Sequence, residues 1–144
     1  MKYNERHYDL FSVPPDYYLA HCISADFALG AGIAAQIESR YHVRGELIKT
    51  HPGYTFLYRR EFGDCIRTGR VLNLVTKLNY WHKPTLSSIS GALYRMKEIC
   101  MADGIKKVAM PRIACGLDKQ SWPVVSSIIK DVFTDTDIEV LVCY

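Results

Sequence analysis

Residues 106–122, KKVAMPRIACGLDKQSW, limit the choice of fold more than any other passage of the chain. A short apolar run ends at Pro111, a loop of small residues with one glycine follows, and an amphipathic pattern begins at Trp122. This is a strand-to-helix junction, and it demands a sheet whose strands are connected through helices. Such a junction also suits phosphate, because the loop offers backbone N–H groups and the helix adds the positive end of its dipole. Asp118 is unusual in a loop that only holds an anion. It reads either as a cap for the helix or as a group that does chemistry.

The rest of the chain repeats the alternation. Residues 17–24 (YYLAHCIS), after the Pro14-Pro15 turn, read as a buried strand. Residues 30–41 open with glycines and become helical, with Ile33, Ile37 and Tyr41 spaced for one face. Residues 54–59 and 71–76 are rich in aromatic or β-branched types and read as strands, with turn signals at Gly63-Asp64 and Thr68-Gly69. A long helix is expected after Pro84-Thr85, reaching Ala102, with Ile89, Leu93, Met96 and Cys100 on one stripe and Gly104 at its stop. A helix over 122–133 and a strand over 138–143 complete the chain. The expected fold is α/β, a layered single domain over residues 1–144 around a largely parallel sheet. Ligands in such folds bind beyond the carboxyl ends of the strands, so the loops 24–33 and 111–118 are expected to flank one cleft.

At 144 residues the chain can bury roughly two-thirds of its unfolded surface, enough for one good core. Hydrophobic residues at 49% and charged residues at 23% are ordinary for a globular protein. No apolar run approaches the roughly 20 residues of a membrane span, and the polar start MKYNERHYDLF lacks the apolar centre of a secretory signal. These features point to an intracellular protein, cytoplasmic or nuclear (in the host cell if the source is viral), with no membrane partner. Five cysteines, Cys22, Cys65, Cys100, Cys115 and Cys143, are widely spaced and include no CxxC pair. They read as reduced thiols, with no metal site and no cofactor implied. A net charge of +3 is mild and unclustered, so charge alone does not argue for nucleic acid.

The first loop, Ser24-Ala25-Asp26-Phe27-Ala28-Leu29-Gly30-Ala31-Gly32-Ile33, lets the backbone come close to a ligand at Gly30 and Gly32. A GxG alone reads equally well as tight packing at a helix start. The third glycine of a dinucleotide fingerprint is missing, and no Gly-Lys-Ser/Thr follows to make a P-loop.

Several segments in order resemble the macrodomain family: Asp9-Leu10-Phe11, Ala20-His21-Cys22-Ile23-Ser24-Ala25-Asp26, Gly30-Ala31-Gly32-Ile33-Ala34, His82-Lys83-Pro84-Thr85 and Met110-Pro111-Arg112-Ile113 with Cys115-Gly116-Leu117-Asp118. The similarity is to the branch of terminal ADP-ribose protein glycohydrolase and bacterial enzymes that remove ADP-ribose from DNA, and it covers nearly the whole chain. It implies a three-layer α/β/α sandwich with a mixed sheet and ADP-ribose lying across the two loops. By that resemblance Asp9 and Leu10 lie near the adenine, with Tyr144 also on the ligand. His21, Ser24, Asp26, Leu29, Gly30, Gly32 and Ile33 would line the riboses and diphosphate. Pro111, Arg112, Ala114, Cys115, Gly116 and Leu117 would complete the phosphate cradle. Lys77 and Asp118 align with the lysine and aspartate that carry the reaction in that branch.

Chemistry supports those roles. A desolvated lysine is a better nucleophile, and an aspartate beside it can move protons. Each residue also has a plainer reading: Lys77 as a solvated strand end, Asp118 as a cap, His21 as a hydrogen-bonded structural histidine, Cys115 and Trp122 as packing, Lys83 as an exposed lysine. Tyr80 and Trp81 could stack on a base or cover the distal ribose; Trp81 is expected in the core. Two departures stand out: Tyr8 and Ala114 occupy positions where macrodomains often carry glycine. A methyl at 114 is tolerable only at negative φ. Three functions follow: a glycohydrolase acting on ADP-ribosylated protein carboxylates, and on nucleic acid or O-acetyl-ADP-ribose; a reader of ADP-ribose; or a phosphatase on ADP-ribose 1″-phosphate using His21 or Asp118. The expected state is a monomer.

Overall fold

The computed structural model describes every residue except Arg60 and Leu117. Its centre is a six-stranded sheet of β1 (Lys2–Arg6), β2 (Tyr18–Ser24), β3 (Asp64–Thr68), β4 (Val71–Lys77), β5 (Lys107–Met110) and β6 (Glu139–Cys143), in the order β1-β6-β5-β2-β4-β3. All neighbours run parallel except β3, which is antiparallel to β4 through the Thr68-Gly69 turn. The helices are α1 (Gly32–Tyr41), α2 (Val43–Thr50), α3 (Tyr54–Leu57), α4 (Leu86–Asp103) and α5 (Trp122–Phe133).

Two apolar clusters, one on each face of the sheet, make the three layers. On one face α4 and α5 bury Ile89, Leu93, Met96, Cys100, Val125, Ile129 and Phe133 against Ala20, Leu72, Leu74, Val108 and Val140. On the other, Ile37, Leu47 and Tyr54 from α1, α2 and α3 pack on Leu19, Ile23, Val71, Val75 and Ala109. Strands covered on both faces read as continuous apolar runs, which is why β2 and β4 are legible. The sandwich with a mixed, largely parallel sheet is the expected fold.

The structure corrects residues 54–59. Tyr54–Leu57 is a helical turn after Gly53, whose φ is +66°. Its aromatics act in tertiary packing: the Tyr54 ring stacks on Phe27 at 5.3 Å and its hydroxyl donates to Asp64. A short apolar run cannot be assigned to strand or helix by periodicity alone. Trp81 is a second correction, being 65% exposed and not in the core. The edge strands β1 and β3 and the helix α2 carry too many polar residues for a clean pattern.

The end of α4 nearest the cleft is fixed with care. Thr85 and Ser88 form a reciprocal capping box, and the Ser88 hydroxyl also donates to the Thr76 carbonyl at 2.7 Å. That bond ties the helix start to the residue before Lys77. Farther along, Phe62 and Gly63 lie hard against α4: a Cβ at Gly91 would stand 1.7 Å from the Phe62 carbonyl oxygen.

Candidate active site

Lys77 ends β4, and its carbonyl and that of the next residue bind the start of the first loop: Ala25 N–H donates to Lys77 O at 2.8 Å and Asp26 N–H to Leu78 O at 3.1 Å. A register shift between Ile23 and Ser24 interrupts the regular pairing of β2 with β4 at this point. The Lys77 ammonium, on the neighbouring strand, donates to Asp118 Oδ1 at 2.8 Å, with the two side chains 15% and 14% exposed. Asp118 therefore does not cap α5, whose N-cap position is Ser121. Its carboxylate is held by the lysine instead.

The pair borders a cavity of about 690 Å³, within the usual range for a small-molecule site. Of the residues expected there, His21, Ser24, Leu29, Gly30, Gly32, Ile33, Pro111, Arg112, Ala114 and Gly116 line it together with Lys77 and Asp118. Asp26 and Cys115 are not among the lining residues. Asp9 and Tyr144 line a separate recess with His7, Tyr8 and Ser12, while Leu10 is buried in the core. Leu117 lies outside the described residues. Sequence reasoning did not single out Cys22, Ile23, Ala28, Ala31, Ala34 and Ile113 as lining residues; all sit beside those it named.

Asp26 shapes the first loop without facing the cavity. Its Oδ1 accepts from Ser24 Oγ at 2.5 Å and Ala28 N–H at 3.2 Å, and its Oδ2 from Tyr80 N–H at 3.0 Å. The loop then passes Phe27 and Leu29 in the left-handed region and enters α1 through Gly32 at φ 59°. No side chain caps α1. Among the described residues nothing accepts from its first N–H groups, which lie beside the exposed Gly30 and Ala31, an arrangement suited to an anion.

The second loop closes on itself through Gln120 N–H to Ala114 O at 2.8 Å and Lys119 N–H to Gly116 O at 3.2 Å. Ala114 sits at φ +61°. That is the unfavourable case for a methyl, with a cost of roughly 1–2 kcal/mol, partly offset by the entropy a glycine would lose on folding. Ala114→Gly should raise stability by about 1 kcal/mol, read as a higher melting temperature; an unchanged or lower one would refute local strain. Arg112 lies 4.0 Å over the Tyr144 ring and 3.7 Å from Glu5, so it connects the cleft wall to the second recess. Asp9 accepts from Phe11 N–H at 3.0 Å and Ser12 Oγ at 2.9 Å, bonds that hold its carboxyl below the ordinary pKa.

His21 is a structural histidine. Asn73 spends both amide hydrogens on Ile66 O and Thr68 Oγ1, each at 2.9 Å, so its Oδ1 must accept from His21 Nε2 at 2.6 Å. Burial pushes the ring's pKa down to about 4, leaving a neutral imidazole at physiological pH. The Cys22 thiol on the cleft wall is pushed up to about 12 by burial, with the Asp118 charge adding to the effect; Cys115 is raised by burial as well. Neither is poised as a thiolate nucleophile. Among the described residues no group of His, Cys, Asp and Glu could hold a metal ion.

Solved macrodomain structures share this architecture of a mixed sheet between two helical layers. The macrodomain of Mycobacterium tuberculosis DarG matches with a TM-score of 0.79 over 98% of this chain and 96% of its own, at 19% identity. Thermosipho africanus DarTG in complex with ADP-ribose matches at 0.74 and 18% identity, over 99% of this chain and 41% of that one. In sequence, the human ADP-ribose glycohydrolase OARD1 is 38% identical over 138 residues, 93% of this chain and 86% of that protein. The chain belongs to the family of the ADP-ribose glycohydrolase OARD1. No family model matches it.

Proposed function

We propose that this chain is a glycohydrolase that removes ADP-ribose from modified protein carboxylates, with Lys77 as nucleophile and Asp118 as acid/base. The observation that carries the reading is the 2.8 Å contact between those two side chains inside the cleft. Family membership supports the ADP-ribose-removing activity itself.

Asp118 takes a proton from the Lys77 ammonium, and the freed amine attacks C1″ of the distal ribose. A bond forms between Nζ and C1″ as the bond from C1″ to the carboxylate breaks, the leaving carboxylate keeping the electron pair. Water then attacks C1″ as the C1″–Nζ bond breaks, which releases ADP-ribose. The lysine leaves as the neutral amine and takes its proton back from Asp118, and the proton shed by the water passes to solvent, so both groups are restored. The free N–H groups at the start of α1 and the amides of the second loop hold the diphosphate and orient the sugar. Asp9, Leu10 and Tyr144 serve the adenine end. ADP-ribose on nucleic acid and O-acetyl-ADP-ribose present the same moiety to this cleft, because their differing part projects outward.

This chain is read as working as a monomer inside the cell, where five unpaired thiols suit a reducing compartment. No helix among the described residues is long and apolar enough to cross a membrane.

The reading is tested by calorimetry with ADP-ribose together with release assays on glutamate-linked ADP-ribosylated protein and ADP-ribose 1″-phosphate. Binding plus release from the protein is expected. Binding without release would leave a reader module, and phosphate release alone would make the protein a phosphatase. A phosphatase acting through His21 is disfavoured, since the only proton of its neutral ring is committed to Asn73.

A further inference from the structure

Three segments are pinned to the last residues of β4. The Tyr58 hydroxyl donates to Val75 O at 3.2 Å, the Ser88 hydroxyl donates to Thr76 O at 2.7 Å, and the turn over 78–82 continues directly from Lys77. Ser87 Oγ donates to Glu61 O at 2.8 Å, which closes the first segment onto the start of α4. These bonds gather Phe62, Tyr80, Trp81 and Leu86 around the end of the strand that carries Lys77, and all four are 44–65% exposed. The Tyr80 and Trp81 rings meet edge to face at 5.0 Å, yet their turn does not need them for its shape. It is closed by His82 N–H to Asn79 O at 3.0 Å, by Asn79 N–H to His82 Nδ1 at 3.2 Å, and by Tyr80 N–H to Asp26 Oδ2 at 3.0 Å. Large apolar side chains left in solvent together mark a surface that a partner covers.

The place of the patch says which partner. Tyr80 also lines the cavity of Lys77 and Asp118, so the patch is continuous with the cleft through this residue. ADP-ribose is the same moiety on every carrier, so discrimination between carriers has to come from outside the cleft. In the proposed mechanism the carrier is joined to C1″, the carbon that Lys77 attacks, and it leaves the cleft beside this patch. A second copy of the chain seated there would stand over the cleft mouth and hinder exchange of substrate and product. Leu86 offers no ring face to a base. Gln120 Nε2 donates to the Pro84 carbonyl at 3.0 Å, which brings the chain neighbours Lys83 and Lys119 onto one edge. Both lysines are exposed, no described carboxylate pairs with either, and they suit acidic residues near a modified one.

We propose that Phe62, Tyr80, Trp81 and Leu86 form a docking surface for the carrier protein, which takes apolar side chains flanking the modified carboxylate and so selects among ADP-ribosylated proteins. The inference rests on the glycohydrolase reading for its substrate, and binding without turnover tests it separately.

The test uses two peptides with the same glutamate-linked ADP-ribose, one with leucine and phenylalanine beside the glutamate and one with serine in their place. The wild type should show a KM about tenfold lower for the apolar peptide, at equal kcat. In Trp81→Ser/Leu86→Ser the two KM values should converge on that of the serine peptide, with the Kd for free ADP-ribose unmoved. Met101→Ser, an exposed position roughly 22 Å farther along α4, should keep the difference. Equal KM values in the wild type, or a difference that survives the double substitution, would overturn the docking surface and leave the glycohydrolase standing. Release from neither peptide would sink the glycohydrolase reading instead. The surface is then decided by Trp81 emission in a Trp122→Phe background, where Trp81 is the only tryptophan. A blue shift with the apolar peptide and none with the serine peptide supports it; no shift with either refutes it. A shift produced by single-stranded DNA or by protein concentration, and not by peptide, would give the patch to another partner and end the proposal.

Discussion

Lys77→Ala is expected to cut ADP-ribose release by roughly a thousandfold or more, while free ADP-ribose still binds. The lysine lines the cleft, and in the proposed mechanism it acts on C1″ while backbone N–H groups hold the diphosphate, so its loss should fall on kcat. Alanine also strips Asp118 of its partner in a setting only 14% exposed, which leaves a largely buried carboxylate uncompensated. For that reason Lys77→Arg is the more telling variant. Arginine can keep the ion pair with Asp118, but its guanidinium stays protonated and cannot attack carbon. The expected result is a protein that folds, binds ADP-ribose by calorimetry and releases none from modified protein. Full activity in Lys77→Arg would reduce residue 77 to an electrostatic role. Asp118→Asn should lose a comparable factor, because it removes the base that frees the amine.

Gly91→Ala should be severely damaging for a single-methyl change, costing about 3 kcal/mol or more in stability. The added carbon would stand 1.7 Å from the carbonyl oxygen of Phe62 and 2.7 Å from its carbonyl carbon, both backbone atoms that cannot rotate away. Gly45 is a matched control: it lies within α2, and a Cβ there meets nothing within 4 Å. Gly45→Ala should stabilise by about 1 kcal/mol through helix propensity. Urea unfolding of the two variants measures the contrast, and similar midpoints would show that residues 61–63 do not press on α4. Displacement of α4 should also reach catalysis, because Ser88 near its start holds the Thr76 carbonyl next to Lys77.

The fold was legible where burial imposes pattern. Central strands are covered on both faces and α4 carries an uninterrupted stripe, so β2, β4, β5 and α4 stand out in the amino-acid order. The edge strands β1 and β3 face partly outward, and their mixed composition hides them. Tyr54 misled because its ring serves tertiary packing in a helical turn. The loops of the cleft were visible as small residues after strands. The meeting of Lys77 with Asp118 was not, since 41 positions separate them and no local spacing brings such residues together. Resemblance to a family supplied that pairing. Trp81 was misread because a large aromatic usually signals a core; here it stands in solvent on the turn that follows Lys77.

The five unpaired thiols give this molecule an internal clock of its own opening. Cys65, Cys100 and Cys143 are buried in the two apolar clusters, and burial raises all three thiols, Cys100 to about 12 and Cys143 to about 11. An alkylating reagent reaches them only when a whole layer comes away from the sheet. Cys22 lies in the cleft wall and Cys115 in the loop behind it, so their labelling follows local breathing of the pocket and its occupancy. Mass spectra taken during alkylation therefore separate global unfolding from motion at the site, with no probe residue engineered into the chain.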